Sequence, residues 1–324
     1  MWNIDLAEES SKLELYYAER KLASPIIHLI HDWQQAKQKG QEKPELELKQ
    51  EILNLLDNGA DVNEPELPRG NVRNYGNTPI LMASKAGAVE VVQALIERGA
   101  NLEALPCQGY IFTSLGTAIV QNNSELVKLL IENGANIGIL KNISPDTALH
   151  IACRYDRLEM AEILIENGAD YNEPAWADDY YGSALTPLQS TIIRAASPKL
   201  AKLLIEKGAD LEKQSSRGYT ALHMAVFRDQ FEIAEIIIKN GADVNFINFN
   251  ADGQNPLHLA ATKNYPKIIK MLIDYGAEIH ARNIQGDDAL QLSLHLQRHE
   301  NFKSIIFNCL GIIDLSNYVL CLQN

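Results

Sequence analysis

A nine-residue phrase, LLDNGADVN in its first copy (residues 55–63), recurs seven times and constrains the fold of this chain more than any other feature. The glycines of the seven copies are Gly59, Gly99, Gly134, Gly168, Gly208, Gly241 and Gly276. Successive glycines lie 33 to 40 residues apart. A near-constant period, with insertions confined to one part of the repeat, is the signature of a stacked array of short structural repeats.

A second phrase precedes the glycine by 21 residues in most repeats, for example TALHMA from Thr220. The other copies start at Thr78, Thr113, Thr147, Thr186, Asn255 and, without a glycine phrase after it, Asp288. A threonine followed by proline caps and starts a helix, because proline at the first position loses no donor that the helix needs. The glycine ends a second helix in the left-handed conformation, and the polar residues after it predict a hairpin turn. Each repeat is therefore predicted to be a first helix, a turn, a second helix and a hairpin.

The two phrases resemble the ankyrin repeat, which has a 33-residue period and a T-P-L-H-x-A phrase. The resemblance covers residues 24–293, more than four-fifths of the chain. It implies an all-α ankyrin-repeat solenoid of about seven repeats plus capping helices. It also implies that the histidine of the phrase bonds to the backbone of the next repeat, here at His150, His223 and His258. Gly116 replaces that histidine in one repeat, and the Thr78 repeat lacks it too, so we expect looser junctions there.

We expect the solenoid at residues 24–293, between a capping helix at residues 1–23 and a C-terminal cap at residues 285–324. Terminal repeats need such caps because a bare internal face would expose apolar surface to water. The repeats are predicted at approximately residues 24–72, 73–107, 108–141, 142–180, 181–214, 215–249 and 250–284.

The first repeat holds 14 residues more than the others between its two phrases. This excess predicts a lengthened first helix at residues 25–39, a loop at residues 40–44 and a second helix at residues 47–57.

Charge and composition narrow the class of partner. Acidic residues outnumber basic ones by 42 to 29, and the net charge of −13 disfavours binding to a nucleic-acid backbone. Four cysteines without CxxC spacing are typical of a reducing compartment. The chain shows neither a secretory signal pattern nor the roughly 18 apolar residues that a membrane span requires. We expect a soluble, monomeric, cytoplasmic protein.

The predicted concave wall consists of the positions seven and eight residues after the first residue of the TALHMA-type phrase. None of these positions is acidic, although the whole chain is, and glutamates concentrate in the second helices. The sequence therefore predicts an arginine-rich and aromatic groove on an acidic molecule. The groove residues singled out are Lys85, Arg154, Tyr155, Arg194, Phe227, Arg228 and Lys263.

Two hairpins, at residues 63–77 and 172–185, are longer than the others. Insertions in repeat proteins often lie on the binding face, and tryptophan and tyrosine dominate interface hot spots. A flexible elaboration of the loop is the alternative interpretation. The hairpin residues predicted to contact a partner are Tyr75, Tyr110, Phe112, Trp176, Tyr180, Tyr181, Arg217 and Tyr219.

We predict a non-catalytic adaptor or scaffold that binds an acidic or phosphorylated protein or peptide, because arginine grips carboxylates and phosphates in bidentate fashion. One alternative is a receptor for a small polyanion, such as a nucleotide or oligonucleotide, stacked on Tyr155, Tyr219 or Phe227. Stand-alone ankyrin chains also resemble bacterial effectors delivered into host cells, and richness in Ile, Asn and Lys is typical of an AT-rich genome. Enrichment of basic residues by chance is a further alternative.

Candidate sites for chemistry are weak. His295 and His299 have the spacing of a metal-chelating pair on a helix, but no third ligand is identifiable. His150 and Cys153 both fall on repeat positions with structural roles, and no glycine-rich phosphate loop or catalytic motif occurs. The prediction is no catalytic residue, no metal site, no cofactor and no enzymatic activity, against the alternative of an active site in an end segment.

Overall fold

The computed structural model describes residues 24–40, 44–65, 77–105, 112–138, 146–175, 184–194, 197–250 and 252–295. These ranges contain fifteen helices and only isolated β-bridges. In chain order, each first helix is followed by its second helix: α1 (Pro25–Gln38) and α2 (Glu45–Asp57), α3 (Pro79–Ala86) and α4 (Val89–Glu97), α5 (Ser114–Val120) and α6 (Ser124–Glu132), α7 (Ala148–Arg154) and α8 (Leu158–Glu166), α9 (Pro187–Ile193) and α10 (Pro198–Glu206), α11 (Ala221–Phe227) and α12 (Phe231–Lys239), α13 (Pro256–Lys263) and α14 (Pro266–Asp274), and last α15 (Ala289–His295). The predicted all-α class is confirmed.

The chain divides into two compact bodies, Met1–Ile151 and Ala152–Asn324, which we call the N-terminal and C-terminal bodies. In the N-terminal body, α1 and α2 lie where the lengthened first repeat was expected, within two residues at each end. The proposed domain boundaries stay predictions, and the cap at residues 1–23 lies outside the described residues. So does the C-terminal cap beyond residue 295.

Glycine ends every second helix as the phrase predicts. All seven phrase glycines have φ between 82° and 100°, the left-handed region that a Cβ disfavours. The second helices bury one apolar stripe, shown in α4 by Val91, Val92 and Leu95, which are fully buried. This stripe at i, i+1 and i+4 packs α4 against α3 of its own repeat and α2 of the repeat before it.

A side-chain bridge joins three first helices of the C-terminal body, α9, α11 and α13, to the hairpin of the next repeat. In α11, the His223 backbone N–H donates to the Thr220 hydroxyl, which lies 2.8 Å from His223 Nδ1. His223 Nε2 lies 3.3 Å from the carbonyl oxygen of Gln254. Because a carbonyl only accepts, Nε2 carries the proton, and Nδ1 accepts the proton of the threonine hydroxyl.

The bridge recurs at the same position of neighbouring repeats. His258 Nε2 lies 3.2 Å from the Asp287 carbonyl oxygen, and Gln189 Nε2 donates to the Tyr219 carbonyl oxygen at 3.2 Å. In each case the acceptor is the residue just before the capping residue of the next first helix. The expected cross-repeat bonds of His223 and His258 are confirmed, and Gln189 makes the same bond with an amide.

The two repeats that lack this histidine differ from each other. A Cβ on Gly116 would lie 3.0 Å from Phe112 Cβ and 3.1 Å from Ile151 Cδ1, so these side chains fill the space of the missing ring. The looser junction expected at Gly116 stays a prediction. In the Thr78 repeat the position is Leu81, and the buried Thr78 hydroxyl has no hydrogen-bond partner among the described residues.

A second contact between repeats comes from the residue four positions after the glycine. Its side-chain oxygen accepts a hydrogen bond from the backbone N–H two positions after the glycine of the following repeat. The pairs, at 2.7–2.8 Å, are Asn63 and Asn101, Glu103 and Asn136, Asn172 and Asp210, Glu212 and Asp243, and Asn245 and Glu278. Asparagine and glutamate both serve as the acceptor, and Asn63 and Asn245 also donate from Nδ2 to the carbonyl oxygens of Gly99 and Gly276.

Burial makes the histidine bridge sensitive to acid. Loss of hydration lowers the pKa of His223 to about 4, although the carbonyl oxygens of Gln254 and Phe246 oppose the shift. Burial lowers the pKa of His258 in the same way. A buried imidazolium would also lose the acceptor that Nδ1 offers to the threonine hydroxyl. The folded state therefore requires neutral imidazoles.

We expect His223→Gln to weaken the acid sensitivity of folding. Between pH 6.5 and 4 the unfolded chain binds a proton that folded His223 does not, so stability present above pH 6.5 is lost as the pH falls toward 4. From pH 7 to pH 5 this single group removes about 2 kcal/mol of the free energy of unfolding. Glutamine can donate as Gln189 does and has no proton to bind. Urea unfolding of both proteins at pH 7 and pH 5 measures the difference, and an equal acid effect would contradict the prediction.

Candidate functional site

Basic side chains lie at one position on consecutive first helices of the C-terminal body. Arg194, Arg228 and Lys263 each lie eight residues after the capping residue, at the ends of α9, α11 and α13. All three are exposed. Because α9 packs on α11 and α11 on α13, these positions repeat at intervals of about 10 Å.

The helix α7 extends this register by one repeat. The buried Cys153 thiol is hydrogen-bonded to the Thr191 side chain, which places the end of α7 beside α9. Tyr155, half-buried, holds the position equivalent to Arg194, and Arg154 lies one residue before it. We call Arg154, Arg194, Arg228 and Lys263 the basic wall.

Phe227 is less available to a partner than the sequence suggested. The Lys263 ammonium lies 4.3 Å from the centroid of the Phe227 ring, a cation–π contact between α11 and α13. The ring is half-buried, and one of its faces is occupied by the ammonium. A ligand at this point therefore meets the charge of Lys263 before it meets that face of the ring.

Acidic residues that the sequence pattern did not single out lie beside the basic wall. Asp156 and Asp229 follow the first helices in the left-handed conformation, with φ of 54° and 56°, and both are exposed. Asp156 also accepts a hydrogen bond from the backbone N–H of Ser197 at 3.0 Å. The available signal was a short polar residue nine positions after the capping residue in several repeats, because such residues tolerate this conformation. Four basic residues thus stand against two acidic ones.

Three hairpins of the C-terminal body stack tip against tip, and we call them finger 1 (residues 213–219), finger 2 (246–254) and finger 3 (281–288). Asn248 in finger 2 pairs with Gln254 across the hairpin, and its Nδ2 donates to the Arg217 carbonyl oxygen of finger 1 at 3.0 Å. The backbone N–H of Ile284 in finger 3 donates to the Asp252 carbonyl oxygen of finger 2 at 3.1 Å. Hydrogen bonds to backbone carbonyl oxygens therefore hold the fingers to one another.

The finger tips present two large apolar side chains that the sequence pattern did not predict. Phe249 is 77% exposed and Ile284 is 65% exposed, each eight residues after a phrase glycine. Arg217, which was predicted, is exposed on finger 1. Tyr219, also predicted, is half-buried, with its ring centroid 6.1 Å from that of His223. Tyr219 thus belongs partly to the base of its finger.

The remaining predicted contact residues lie in the N-terminal body or outside the described residues. Lys85, in the N-terminal body, is half-buried and donates to Asn77 Oδ1 at 2.7 Å. Phe112 is half-buried against Gly116. The other five, namely Tyr75, Tyr110, Trp176, Tyr180 and Tyr181, lie outside the described residues, as do most of the two long hairpins.

The described residues contain no cluster suited to metal binding, and their buried cysteine is a poor nucleophile. Within them, no group of three or more His, Cys, Asp or Glu side chains converges. Burial raises the pKa of the Cys153 thiol to about 12, so the nucleophilic thiolate is suppressed. The side chains of His295 and His299 are outside the described part of the chain. No helix in that part is both long and apolar enough to cross a bilayer.

Comparison with known proteins gives consistent matches. A family model of ankyrin repeats matches residues 47–141, 112–175, 177–248 and 192–283. An ankyrin repeat protein of Acanthamoeba polyphaga mimivirus is 28% identical over 171 residues, 52% of this chain and 21% of the relative. One of Fowlpox virus (strain NVSL) is 28% identical over 168 residues, 51% of this chain and 48% of the relative. The chain thus spans about a fifth to a half of these relatives.

Among solved structures, the ankyrin repeat domain of Bcl-3 aligns with a TM-score of 0.59 and 22% identity. The alignment covers 70% of this chain and 99% of that one. A likeness at this level of identity shows that the two proteins share a fold.

The contact between fingers 1 and 2 depends on glycine at position 218. Gly218 has φ of 77°, and a Cβ there would overlap the Asn248 side chain and lie 3.1 Å from Asn250 Cβ. We expect Gly218→Ala to destabilise the protein by about 1 kcal/mol or more beyond Gly241→Ala. At Gly241, φ is 96°, but no described atom lies within 4 Å of the added Cβ, so only backbone strain of about 1–2 kcal/mol applies. Equal losses in urea unfolding would show that the fingers do not pack as described.

Proposed function

Because the chain belongs to the ankyrin repeat family, whose repeats serve generally as protein–protein interaction modules, we propose that it is a binding protein for an acidic segment of a partner protein. The segment lies against the basic wall of the C-terminal body. The chain performs no chemistry on it. Binding alone, with rigid positioning of the partner, is the function.

The observation that carries this proposal is the register of Arg194, Arg228 and Lys263. Exposed cations about 10 Å apart on packed helices match carboxylates spaced about three residues apart in an extended chain. Packed helices hold the backbone of all three, so little ordering of the main chain opposes binding. Arginine adds bidentate geometry that suits a carboxylate or a phosphate.

The overall charge of the protein makes this surface selective. With a net charge of −13, most of the molecule repels an acidic partner. Attraction is confined to places where basic residues are grouped, so electrostatics orient the encounter as well as strengthen it. Asp156 and Asp229 reduce the positive potential locally. An extended segment can avoid these two carboxylates, whereas a broad anionic surface cannot. They therefore favour the extended segment as the partner.

The contact between Lys263 and Phe227 favours a peptide over a nucleotide as the ligand. A base stacked on Phe227 would compete with the ammonium already placed over that ring. An acidic side chain, by contrast, pairs with Lys263 where it lies. The proposal therefore places carboxylates, or phosphates on side chains, at the wall.

We expect the triple change of Arg154, Arg194 and Arg228 to Glu to abolish binding of an acidic peptide. Reversing three contacts that each contribute about 1 kcal/mol should weaken affinity about 100-fold or more. The probe is a fluorescein-labelled peptide of six glutamates in a Gly/Ser frame, titrated by fluorescence anisotropy at about 0.05 and 0.15 M salt. Higher salt should weaken the wild-type complex.

A matched control changes the same charge elsewhere. Lys128, Lys199 and Lys267 are exposed on the second helices α6, α10 and α14. Replacing all three with Glu alters the net charge equally but leaves the wall intact, so the peptide should bind with nearly wild-type affinity. If the two triple variants lose affinity equally, only the overall charge matters and the wall is not the site. Retained binding by the arginine variant would likewise show that the peptide binds elsewhere.

A further inference from the structure

The two exposed apolar side chains of the finger tips are placed at equivalent positions on neighbouring fingers. Phe249 and Ile284 each lie eight residues after the glycine of their repeat. Fingers 2 and 3 are in contact, since a Cβ on Gly253 would lie 2.7 Å from Ile284 Cγ2. An isolated exposed apolar side chain is ordinary. Two of them, on hairpins that are in contact, offer an apolar anchor site of the kind that concentrates binding energy at interfaces.

The charged side chains of the three fingers are balanced in number, unlike those of the basic wall. The basic residues are the exposed Lys213, Arg217 and Arg282, and the acidic ones are the exposed Asp252, the half-buried Asp287 and the buried Asp288. Arg282 donates to the Gly286 carbonyl oxygen, which holds it on finger 3. The tips therefore offer apolar contact without a net charge, and the attraction of acidic residues comes from the basic wall.

Chain connectivity sets the distance between the tips and the wall. Finger 2 leads directly into Asn255, the capping residue of α13, and α13 ends at Lys263. The tips thus lie at the starting ends of the first helices, and the wall lies at their far ends. Eight helical residues span about 12 Å, and the part of the finger from Phe249 to Asn255 adds up to about 10 Å. An extended chain covers about 20 Å with roughly six residues.

From this geometry we infer that the partner segment is bipartite and crosses the first helices. It places one large apolar side chain at Phe249 and Ile284, and acidic residues about six positions away at Arg228 and Lys263. The inference rests on the proposed function and adds to it a spacing and a second anchor. The fingers supply apolar burial, which the basic wall lacks, and the spacing supplies selectivity among acidic sequences.

Three labelled peptides test the bipartite segment separately from binding of acidic residues at the basic wall. The first carries four glutamates in a Gly/Ser frame, the second adds a leucine six residues before them, and the third places that leucine two residues before them. Each is titrated into the 324-residue chain by fluorescence anisotropy. Burial of the leucine should make the second peptide bind about tenfold more tightly than the first, with no comparable gain for the third.

The double variant Phe249→Ser, Ile284→Ser should erase the tenfold gain and leave binding of the glutamate peptide unchanged. Leu46→Ser is the control, because Leu46 is 69% exposed and belongs to α2 rather than to a finger. It should bind all three peptides as the wild type does. Circular dichroism confirms that each variant is folded, which is expected since all three side chains are exposed.

Every other outcome contradicts either the bipartite segment alone or both the bipartite segment and the proposed function. If the second peptide gains nothing, if its gain survives in the double variant, or if the third gains equally, the bipartite segment is wrong while glutamate binding still supports the proposed function. If the second peptide depends on Phe249 but not on the arginines of the wall, both ideas fail, since the acidic half makes no contact there. Absence of binding by all three peptides overturns both as well.

Discussion

A buried hydrogen-bonded bridge between one repeat and the next underlies the arrangement of the C-terminal body. In each instance a capping threonine or asparagine orients a histidine or glutamine, which reaches the last carbonyl of the following hairpin. Leaving such a buried polar group unpaired costs about 1–3 kcal/mol, so the hairpin cannot drift away from the helix without that penalty. Two repeats that have another residue in place of the histidine show what the position requires. Gln189 preserves the bond with an amide, whereas Gly116 gives up the bond and packs Phe112 in its place.

The bridge also decides what the surface can present. By fixing each finger to the start of a first helix, it determines how far the finger tips lie from the helix ends that carry the basic wall. Close contacts at Gly218 and Gly253 bring Phe249 and Ile284 onto neighbouring tips. The packed first helices bring Arg194 and Arg228 into register. The contacts that stabilise the repeats therefore also set the distance between the apolar finger tips and the basic wall. Stability and recognition therefore share one framework in this protein.

Much of the fold was predictable because it is encoded locally and repeated. The glycine phrase states where second helices end, the threonine phrase states where first helices begin, and repetition in phase removes ambiguity about either. The surface was predictable only in part. Counting eight residues from each capping residue found Arg194 and Arg228, but that count alone did not weigh Asp229, which follows where the helix turns left-handed. The same count did not predict the contact of Lys263 with Phe227, since that contact joins side chains of different repeats.

Periodicity along the chain by itself determined the helix–turn–helix–hairpin repeat, the membership of the ankyrin class and the basic positions at the ends of first helices. Those properties depend on residues within about 35 positions of each other and on backbone preferences that operate locally. Tertiary structure alone decided which exposed residues became neighbours. Phe249 and Ile284 are ordinary loop residues in the sequence, and they become one surface only because backbone hydrogen bonds stack their fingers. Contacts of that kind depend on three-dimensional packing, which a one-dimensional pattern does not contain.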